Sequence, residues 1–445
     1  MELPHVQIVS QEAIKPSAPT PPHLRTFKLP ILAQLACSPY APTILYYPMN
    51  KDSGHIDLHR RLEILKKSLA ITLTHFYPLA GRLKSELLID CNDEGAKYVE
   101  TRVSCHLSDF LNQANIVLVH DRLLPYSFYS EEPVAGAYVT NIQVNVFECG
   151  GIAIGACISH RILDGAAFCT FFKGWSANAR GVKETLNPNF TATSLFPAND
   201  DDLWLRDASL KMWTSTLKKG HSITNRFVFN DSAISNLKNQ ATGSTRIEVV
   251  TAFLCKCFIE ASEQRNGFKK PCSFTHFVNL RKRMEPSLSE NSVGNLLWIA
   301  HEACMEETKP EMEDLVRKVR KAISVIDADF VKKLMTGKEG YGLMSESIKN
   351  IAELCSRDNI DHVWFSSWSR LGYYEADFGW GKPLWVSCIG FGGPVAVNVI
   401  ILNDTRFGNG IEALVTLDQE VMATLEDKTD ILNYAVLNPS PSATA

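Results

Sequence analysis

A histidine and an aspartate, His160 and Asp164, lie four positions apart in the stretch CISHRILDGAAF at residues 157–168. A neutral imidazole can take a proton from an alcohol near neutral pH, so His160 is a candidate general base. A four-residue step places two side chains on one face only in a continuous helix. Because the chain is predicted to turn here, the spacing leaves open a catalytic pair, a metal site or a structural histidine.

The neighbouring elements favour a catalytic position for His160. Residues 150–159 form a nearly continuous apolar run, which is typical of a central strand. Residues 165–179 carry large apolar side chains at three- and four-residue steps, which predicts a helix with one apolar face. A histidine just beyond a buried strand has a fixed backbone, and its side chain can project into a cleft.

A second motif, DFGWG at residues 377–381, follows some two hundred residues later. Gly379 and Gly381 allow a tight turn, and the aromatic residues between them and before them could anchor it. Alone, the motif predicts a structural turn. Its significance comes from its combination with the histidine motif.

Together these motifs resemble those of the BAHD acyltransferases, a plant family that depends on coenzyme A. The similarity rests on His160, Asp164 and Gly165 after a strand, followed by DFGWG. The branch that is most similar contains vinorine synthase and acetylates hydroxyl groups of alkaloids. Further blocks in the family's order extend the resemblance over essentially the whole chain: HFYPLAGRL (75–83), DCNDEGAKYVE (90–100), STRIEVVTAFL (244–254), NLRKRM (279–284) and SVGNLLW (292–298).

The resemblance implies an α/β fold of two chloramphenicol-acetyltransferase-like domains. Each domain is a mixed sheet with helices, and a channel lies at their interface. Residues 183–222 are rich in Pro, Asn, Thr and Asp with little periodicity, which is typical of a linker. We therefore predict an N-terminal acyltransferase domain at 1–185, a crossover linker at 186–222 and a C-terminal acyltransferase domain at 223–445.

The resemblance also implies roles for individual residues. His160 matches the general base, and Trp368 is the candidate donor to the oxyanion. Asp164 matches an aspartate that turns away from the channel and pairs with the residue corresponding to Arg281. The residues expected to support the site are Asp164, Gly165, Arg281, Asp377, Gly379 and Gly381. The expected contacts to coenzyme A are Ser244, Thr245, Arg246 and Ser367.

The implied reaction transfers an acetyl group from acetyl-CoA, a co-substrate, to a hydroxyl group of a plant specialised metabolite in a ternary complex. The acceptor is an alkaloid or a terpenoid, including triterpenoids such as limonoids. Two alternatives remain: a longer or aromatic acyl-CoA donor, or a catalytically silent relative that acts as a binding protein. The chain has SVGNLLW where anthocyanin malonyltransferases carry YFGNC. SHRILDG and Lys382 also differ from the hydroxycinnamoyl branch.

Composition argues against other classes of protein. The formal net charge of −4 gives no dominant basic face for nucleic acid. A serine hydrolase would need GxSxG, and a zinc site would need CxxC or further ligands, none of which occurs. The 12 cysteines are scattered, which indicates buried thiols. Without a recognisable signal peptide or an apolar run long enough for a membrane span, we expect a cytoplasmic monomer.

Periodicity predicts further elements elsewhere in the chain. Helices are expected at 55–76, 246–262, 309–335 and 418–435. Strands are expected at 141–148, 273–280, 363–368, 383–391, 394–402 and 410–418.

Overall fold

The computed structural model describes residues 4–36, 38–49, 56–113, 120–126, 135–182, 186–198, 203–304, 310–388 and 393–441. Its strands are β1 (Val6–Ile14), β2 (Thr26–Lys28), β3 (Tyr40–Tyr47), β4 (Arg82–Ser85), β5 (Leu88–Asp90), β6 (Ala96–Val103), β7 (Thr140–Phe147), β8 (Ile152–Ser159), β9 (Lys218–Phe229), β10 (Cys272–Asn279), β11 (Leu297–Cys304), β12 (Asp361–Ser367), β13 (Trp385–Cys388), β14 (Gly393–Ala396), β15 (Val399–Asp404), β16 (Ile411–Asp418) and β17 (Val436–Leu437).

The helices of these described ranges are α1 (Leu58–His75), α2 (Leu107–Leu111), α3 (Gly165–Ala179), α4 (Ala192–Leu195), α5 (Trp204–Thr216), α6 (Asp231–Asn239), α7 (Arg246–Asn266), α8 (Met312–Ser324), α9 (Ala328–Leu334), α10 (Gly337–Cys355), α11 (Gln419–Glu426) and α12 (Thr429–Leu432). None of them is both long enough and apolar enough to cross a bilayer.

Two large sheets organise the chain. The first has the strand order β1-β6-β7-β8-β3-β13, and the second has the order β11-β10-β12-β15-β16-β9-β14 with β17 paired to β9. Both combine parallel and antiparallel pairs, for example β6 with β7 and β10 with β12 in parallel. The predicted α/β class is therefore confirmed, and the two sheets fit a two-domain arrangement. The exact domain boundaries stay a prediction.

Strand β8 occupies an interior position of the first sheet, between β7 and β3, and all its residues are buried. Helix α3 follows it and packs against α1. The shared core contains Leu69 of α1 together with Phe168 and Trp175 of α3. A strand buried on both sides is almost entirely apolar, so the apolar run at 150–159 correctly predicted an interior strand.

Strand β13 comes from the C-terminal part of the chain but forms the edge of the first sheet. It pairs antiparallel with β3, with Trp385 opposite Tyr46, and these two rings stack with centroids 5.2 Å apart. Trp385 Nε1 also donates a 3.0 Å hydrogen bond to Glu412 of β16 in the second sheet. Glu412 forms a buried 2.5 Å ion pair with Arg226, whose guanidinium lies over the Trp385 ring. This buried cluster joins the two sheets.

The predicted linker at 186–222 is largely regular structure. It contains α4, α5 and the start of β9, although residues 199–202 lie outside the described ranges. Helix α5 buries Leu205, Ser209 and Met212, which are three and four residues apart and share one face. The Asn- and Asp-rich residues before it dominated the composition, so this amphipathic pattern was missed.

Three predicted elements are each divided in two. The helix predicted at 309–335 consists of α8 and α9, and Asp327 begins the second one by accepting a hydrogen bond from the Phe330 N–H at 2.8 Å. The strand predicted at 394–402 is β14 and β15, which pair with different neighbours. The helix predicted at 418–435 is α11 and α12, while α10 was not predicted.

Most described cysteines are buried. Burial raises the pKa of the Cys169 and Cys257 thiols to about 12. These thiols therefore stay protonated at neutral pH and pack as small apolar side chains, as the scattered placement predicted.

Candidate active site

His160 follows the last residue of β8, where the chain leaves the first sheet. Its backbone N–H donates to the Pro39 carbonyl at 3.0 Å. The N–H groups of Ile162 and Leu163 both donate to the Ser159 carbonyl, which closes a tight turn before α3 begins. Hydrogen bonds on both sides thus hold the backbone of His160, and the position from which the imidazole projects is fixed.

His160 as a residue is half-buried. Its Nδ1 atom is buried and forms no hydrogen bond with any described residue. Burial lowers the pKa of the imidazole, because the charged form is poorly solvated there. Backbone groups of His160 and Leu163 and the negative charge of Asp164 oppose this shift. The net effect is a lowered pKa, so the ring is neutral at pH 7.

Asp164 is fully buried and directs its carboxylate away from the imidazole. Oδ1 accepts the Ala167 N–H at 2.9 Å, which caps the first turn of α3. Oδ2 accepts the backbone N–H of Leu296 at 3.0 Å. Arg281 donates from Nη1 to Oδ2 at 2.7 Å and from Nη2 to Oδ1 at 3.0 Å. Four donors therefore satisfy the carboxylate without the histidine.

Arg281 is 2% exposed and lies just after β10. Besides Asp164, it donates to the backbone carbonyls of Ser292 and Gly294 and to the side chain of Asn279. A bidentate pair of this kind is geometrically specific and needs these extra partners, because both charges are removed from water. The pair connects the turn after β8 to the second half of the chain.

This geometry answers the question raised by the HxxxD spacing. Asp164 supports the turn that carries His160, and the two side chains do not form a hydrogen-bonded dyad. Within the described ranges, no three His, Cys, Asp or Glu side chains gather as metal ligands. The hydrogen bonds of Asp164 therefore argue against a catalytic pair, and the role of His160 as a base stays a prediction.

Trp368 lies directly after β12, and the structure brings it to the start of α3. Its backbone N–H donates to the Leu402 carbonyl at 2.7 Å, and its ring stacks on Tyr373 with centroids 5.1 Å apart. Nε1 lies 3.5 Å from the point where a Cβ of Gly165 would be. The Tyr373 hydroxyl donates to the Gly165 carbonyl at 2.7 Å. The indole N–H therefore lies close to the motif that contains His160.

The DFGWG turn is held by its own aspartate. Asp377 Oδ1 accepts the N–H groups of Gly379 at 2.8 Å and Gly381 at 2.9 Å. Both glycines have positive φ, 104° and 107°, which other residues rarely adopt. Phe378 packs edge-on against Trp175 of α3 with ring centroids 5.1 Å apart. The turn thus belongs to the core of the first sheet and acts as a structural element.

Replacing Asp377 by alanine is expected to lower the free energy of unfolding by about 1–3 kcal/mol, because two N–H groups lose a charged acceptor. Activity per folded molecule should change little, since the turn packs in the core. Thermal unfolding followed by circular dichroism measures the first quantity. Asp377→Asn is the matched control, because it keeps an oxygen at Oδ1. A large loss of activity in Asp377→Ala at unchanged stability would contradict a structural role.

The residues expected to contact coenzyme A lie at the start of α7 and the end of β12. Thr245 is the N-cap of α7 and forms a reciprocal capping box with Glu248. Arg246 pairs with Asp404 at 3.2 Å and also donates to the Gly408 carbonyl. Ser244 is buried, and its hydroxyl has no partner within the described part of the chain. Ser367 ends β12 beside Leu402.

Two residues near this site were not singled out from the sequence. Tyr373 stacks on Trp368 and binds Gly165, and Asp404 contacts the loop that follows Trp368. Asp404 belongs to the stretch NDTRFGNG at residues 403–410, between two predicted strands. Its partners lie 34 to 158 positions away in the chain, so no local signal could have found them.

Comparison with known proteins places the chain in a family. The sequence model of the transferase family matches residues 4–432. Epi-neemfruitin B 7-O-acetyltransferase of Melia azedarach is 40% identical over 455 residues, covering 98% of this chain and 99% of that relative. Limonoid 7-O-acetyltransferase of Citrus sinensis is 41% identical over 461 residues, with the same coverage.

Solved structures give the same result. The crystal structure of vinorine synthase superimposes with a TM-score of 0.82 at 31% identity, covering 97% of this chain and 98% of that chain. The fold predicted from the resemblance is confirmed by this match. The sequence, the two-sheet fold and the relatives agree that the chain belongs to the BAHD family of transferases and is an acyl-CoA-dependent O-acyltransferase.

Proposed function

We propose that the protein transfers an acetyl group from acetyl-CoA to a hydroxyl group of a limonoid-type triterpenoid, with His160 as the general base. His160 takes the proton of the acceptor hydroxyl while its oxygen attacks the thioester carbonyl. Trp368 Nε1 donates a hydrogen bond to the oxyanion that develops there. As the carbon–sulfur bond breaks, His160 returns the proton to the leaving thiolate. Both substrates are bound together, and no acyl-enzyme forms.

One observation carries the assignment of the base. The carboxylate of Asp164 is saturated by donors from α3, Leu296 and Arg281, so it does not share a proton with the imidazole, whose pKa is lowered by burial. With Nδ1 buried, the Nε2 side of the ring is the side left for a substrate. A neutral imidazole with a lowered pKa is in its proton-accepting form at physiological pH.

The indole of Trp368 supports the second half of the mechanism. No described residue accepts a hydrogen bond from its Nε1, and the ring is fixed by the stack on Tyr373. A donor that is already oriented where negative charge develops stabilises a transition state without reorganisation. Its position beside Gly165 places this donor near the histidine motif.

The choice of acceptor rests on the relatives. Epi-neemfruitin B 7-O-acetyltransferase and limonoid 7-O-acetyltransferase are 40% and 41% identical to this chain, compared with 33% for the vinorine synthase sequence of Rauvolfia serpentina. We infer a ring hydroxyl of a limonoid as the acceptor rather than an alkaloid hydroxyl. A cytoplasmic location and a monomeric state stay predictions from the sequence.

The test is release of free thiol from acetyl-CoA by the purified full-length chain. A limonoid with a free 7-hydroxyl group should give thiol release and a product heavier by one acetyl group in mass spectrometry. The same limonoid lacking that hydroxyl is the control. Benzoyl-CoA in place of acetyl-CoA tests the alternative donor. Thiol release with alkaloid alcohols but not with the limonoid would contradict the proposed acceptor.

Replacing Trp368 by phenylalanine is expected to lower kcat by about 10²- to 10³-fold, the usual effect of removing one oxyanion donor. Phenylalanine keeps an aromatic ring for the stack on Tyr373 but lacks the N–H. Steady-state kinetics with acetyl-CoA should show the loss mainly in kcat. Tyr373→Phe is the control for the stack, because it keeps the ring that contacts Trp368. Equal kcat values for Trp368→Phe and the wild type would remove the indole from the mechanism.

A further inference from the structure

The carboxylate of Asp404, at the end of β15, lies at the centre of a set of contacts outside the mechanism described above. Oδ1 accepts from the Ser369 hydroxyl at 2.7 Å and from Arg246 Nη2 at 3.2 Å. Oδ2 accepts the backbone N–H of Arg370 at 2.6 Å. Two of these three partners immediately follow Trp368 in the chain. Asp404 therefore fixes the backbone of the loop that carries the indole.

The loop needs such an anchor because its backbone is unusual. Arg370 has φ of +63°, in the left-handed region that a residue with a Cβ rarely occupies. Its N–H is the group that Asp404 Oδ2 binds. Strained positions of this kind persist only where the surroundings hold them. Without the carboxylate, we expect the backbone to relax at Arg370 and the preceding tryptophan to shift.

The other side of the loop is anchored on α3. Lys173 Nζ donates to the Leu371 carbonyl at 2.8 Å, and the Cys169 thiol donates to the same oxygen at 2.9 Å. The segment between Trp368 and Tyr373 thus spans from β15 of the second sheet to the helix that Asp164 caps. Its position is set jointly by the two halves of the chain.

Resting on the proposed function, we infer that Asp404 is a positioning residue that holds the Trp368 N–H in register with His160. Arg246 completes this arrangement, since its guanidinium neutralises Asp404 and donates to the Gly408 carbonyl of the following turn. On this basis Arg246 contributes to the site through Asp404. This differs from the direct contact with coenzyme A that the sequence implied for Arg246.

The experiment is a double-mutant cycle with Asp404→Asn and Trp368→Phe. Asp404→Asn has the same shape but loses the charge that binds Arg246, and its side chain has one acceptor oxygen where the carboxylate has two. It is expected to lower kcat about tenfold, the equivalent of one charge-assisted hydrogen bond. KM for the acceptor should stay the same, because the substitution affects the donor to the oxyanion and not the groups that bind the acceptor. In the Trp368→Phe background, Asp404→Asn should cause almost no further loss, because the group it positions is gone.

Each outcome of the cycle has a separate meaning. If Asp404→Asn lowers kcat by the same factor in both backgrounds, Asp404 does not act through Trp368 and the inference is overturned. If Asp404→Asn leaves kcat unchanged, it is overturned as well. If Trp368→Phe itself has full activity, the oxyanion role in the proposed function fails, and that result is visible before the cycle is completed.

Glu375→Gln is the matched control for a lost ion pair just after this segment. Glu375 pairs with Lys382 at 2.8 Å, and both side chains are exposed. Its removal should leave kcat and both KM values unchanged, because exposed pairs contribute little. Thermal unfolding of every variant separates loss of folded protein from loss of turnover. A fall in kcat for Glu375→Gln equal to that for Asp404→Asn would make the effect general to the segment and would contradict the inference.

Discussion

Replacing His160 by alanine is expected to lower kcat/KM by about 10²- to 10⁴-fold, the contribution of a positioned general base. The fold should persist, because the backbone of this residue is held by Pro39 and by the turn at Ser159 rather than by the ring. Nδ1 forms no hydrogen bond with described residues, so the alanine variant loses none at that atom. Steady-state kinetics and thermal unfolding measure the two quantities separately.

The pH profile provides a second measurement on the same residue. In the proposed mechanism neutral imidazole is the active form, and the pKa of His160 is lowered by burial. The proton-accepting form therefore persists to more acidic pH than for an ordinary histidine. The acidic limb of kcat/KM should have its midpoint below about 6.5, the usual histidine value. This limb should be absent from the residual activity of His160→Ala.

His160→Gln is the companion variant, because it keeps a polar side chain but cannot serve as a base. Its activity should be as low as that of the alanine variant. Turnover near the wild-type rate in either variant, at unchanged stability, would refute the general-base assignment. A wild-type profile whose acidic limb lies above the ordinary histidine pKa would contradict the direction of the shift.

Replacing Asp164 by asparagine is expected to reduce both stability and activity. Removal of one member of a buried pair leaves the Arg281 guanidinium uncompensated, at a cost of about 3–5 kcal/mol in the free energy of unfolding. Asparagine has a single acceptor oxygen, so only one of the Ala167 and Leu296 N–H groups would keep an acceptor, and a weaker one. Because the same carboxylate fixes the start of α3, the preceding turn and His160 should lose their alignment. Denaturant unfolding and kinetics on the folded fraction test both effects.

The double variant Asp164→Leu with Arg281→Met distinguishes the effect of an unpaired buried charge from the loss of alignment of His160. Replacing both members of a buried pair by apolar residues often restores stability. We expect unfolding free energy to recover in part while kcat stays low, since the cap of α3 and the contact to Leu296 are still missing. Recovery of stability together with wild-type kcat would show that the carboxylate does not align His160. Asp164→Asn with undiminished stability would contradict the role of the pair itself.

The sequence predicted the elements that position His160 because the pattern of apolar residues within each element shows which of its faces are buried. The predicted helix at 165–179 coincides with α3, and the run at 150–159 contains β8. Helix α10 was missed although Met344, Ile348 and Ile351 are buried at helical spacing. Gly337, Gly340 and other small or polar residues at its start weaken the helical pattern, and tertiary packing outweighs this low propensity.

Contacts between distant parts of the chain could not be predicted from local patterns. The pairing of Asp164 with Arg281, 117 positions away, was expected only through the family resemblance. The contacts of Asp404 with Arg246 and Ser369 were not implied by the resemblance, and no local spacing of residues predicts them. Strand β13 is a similar case, since nothing in its apolar sequence indicates which sheet it joins. Such pairings depend on the whole folded chain rather than on any segment of it.

Strand β13 also limits how this enzyme can be recombined with its relatives. A chimera joined in the middle of the chain would take β3 from one parent and its neighbour from the other. The Tyr46–Trp385 stack would then be formed between residues of different parents, whereas Trp385 and Glu412 would still come from the same parent. An N-terminal fragment expressed alone would expose the edge of β3, which favours aggregation. Active hybrids should therefore be those whose parents share the residue types at Tyr46, Trp385 and Glu412.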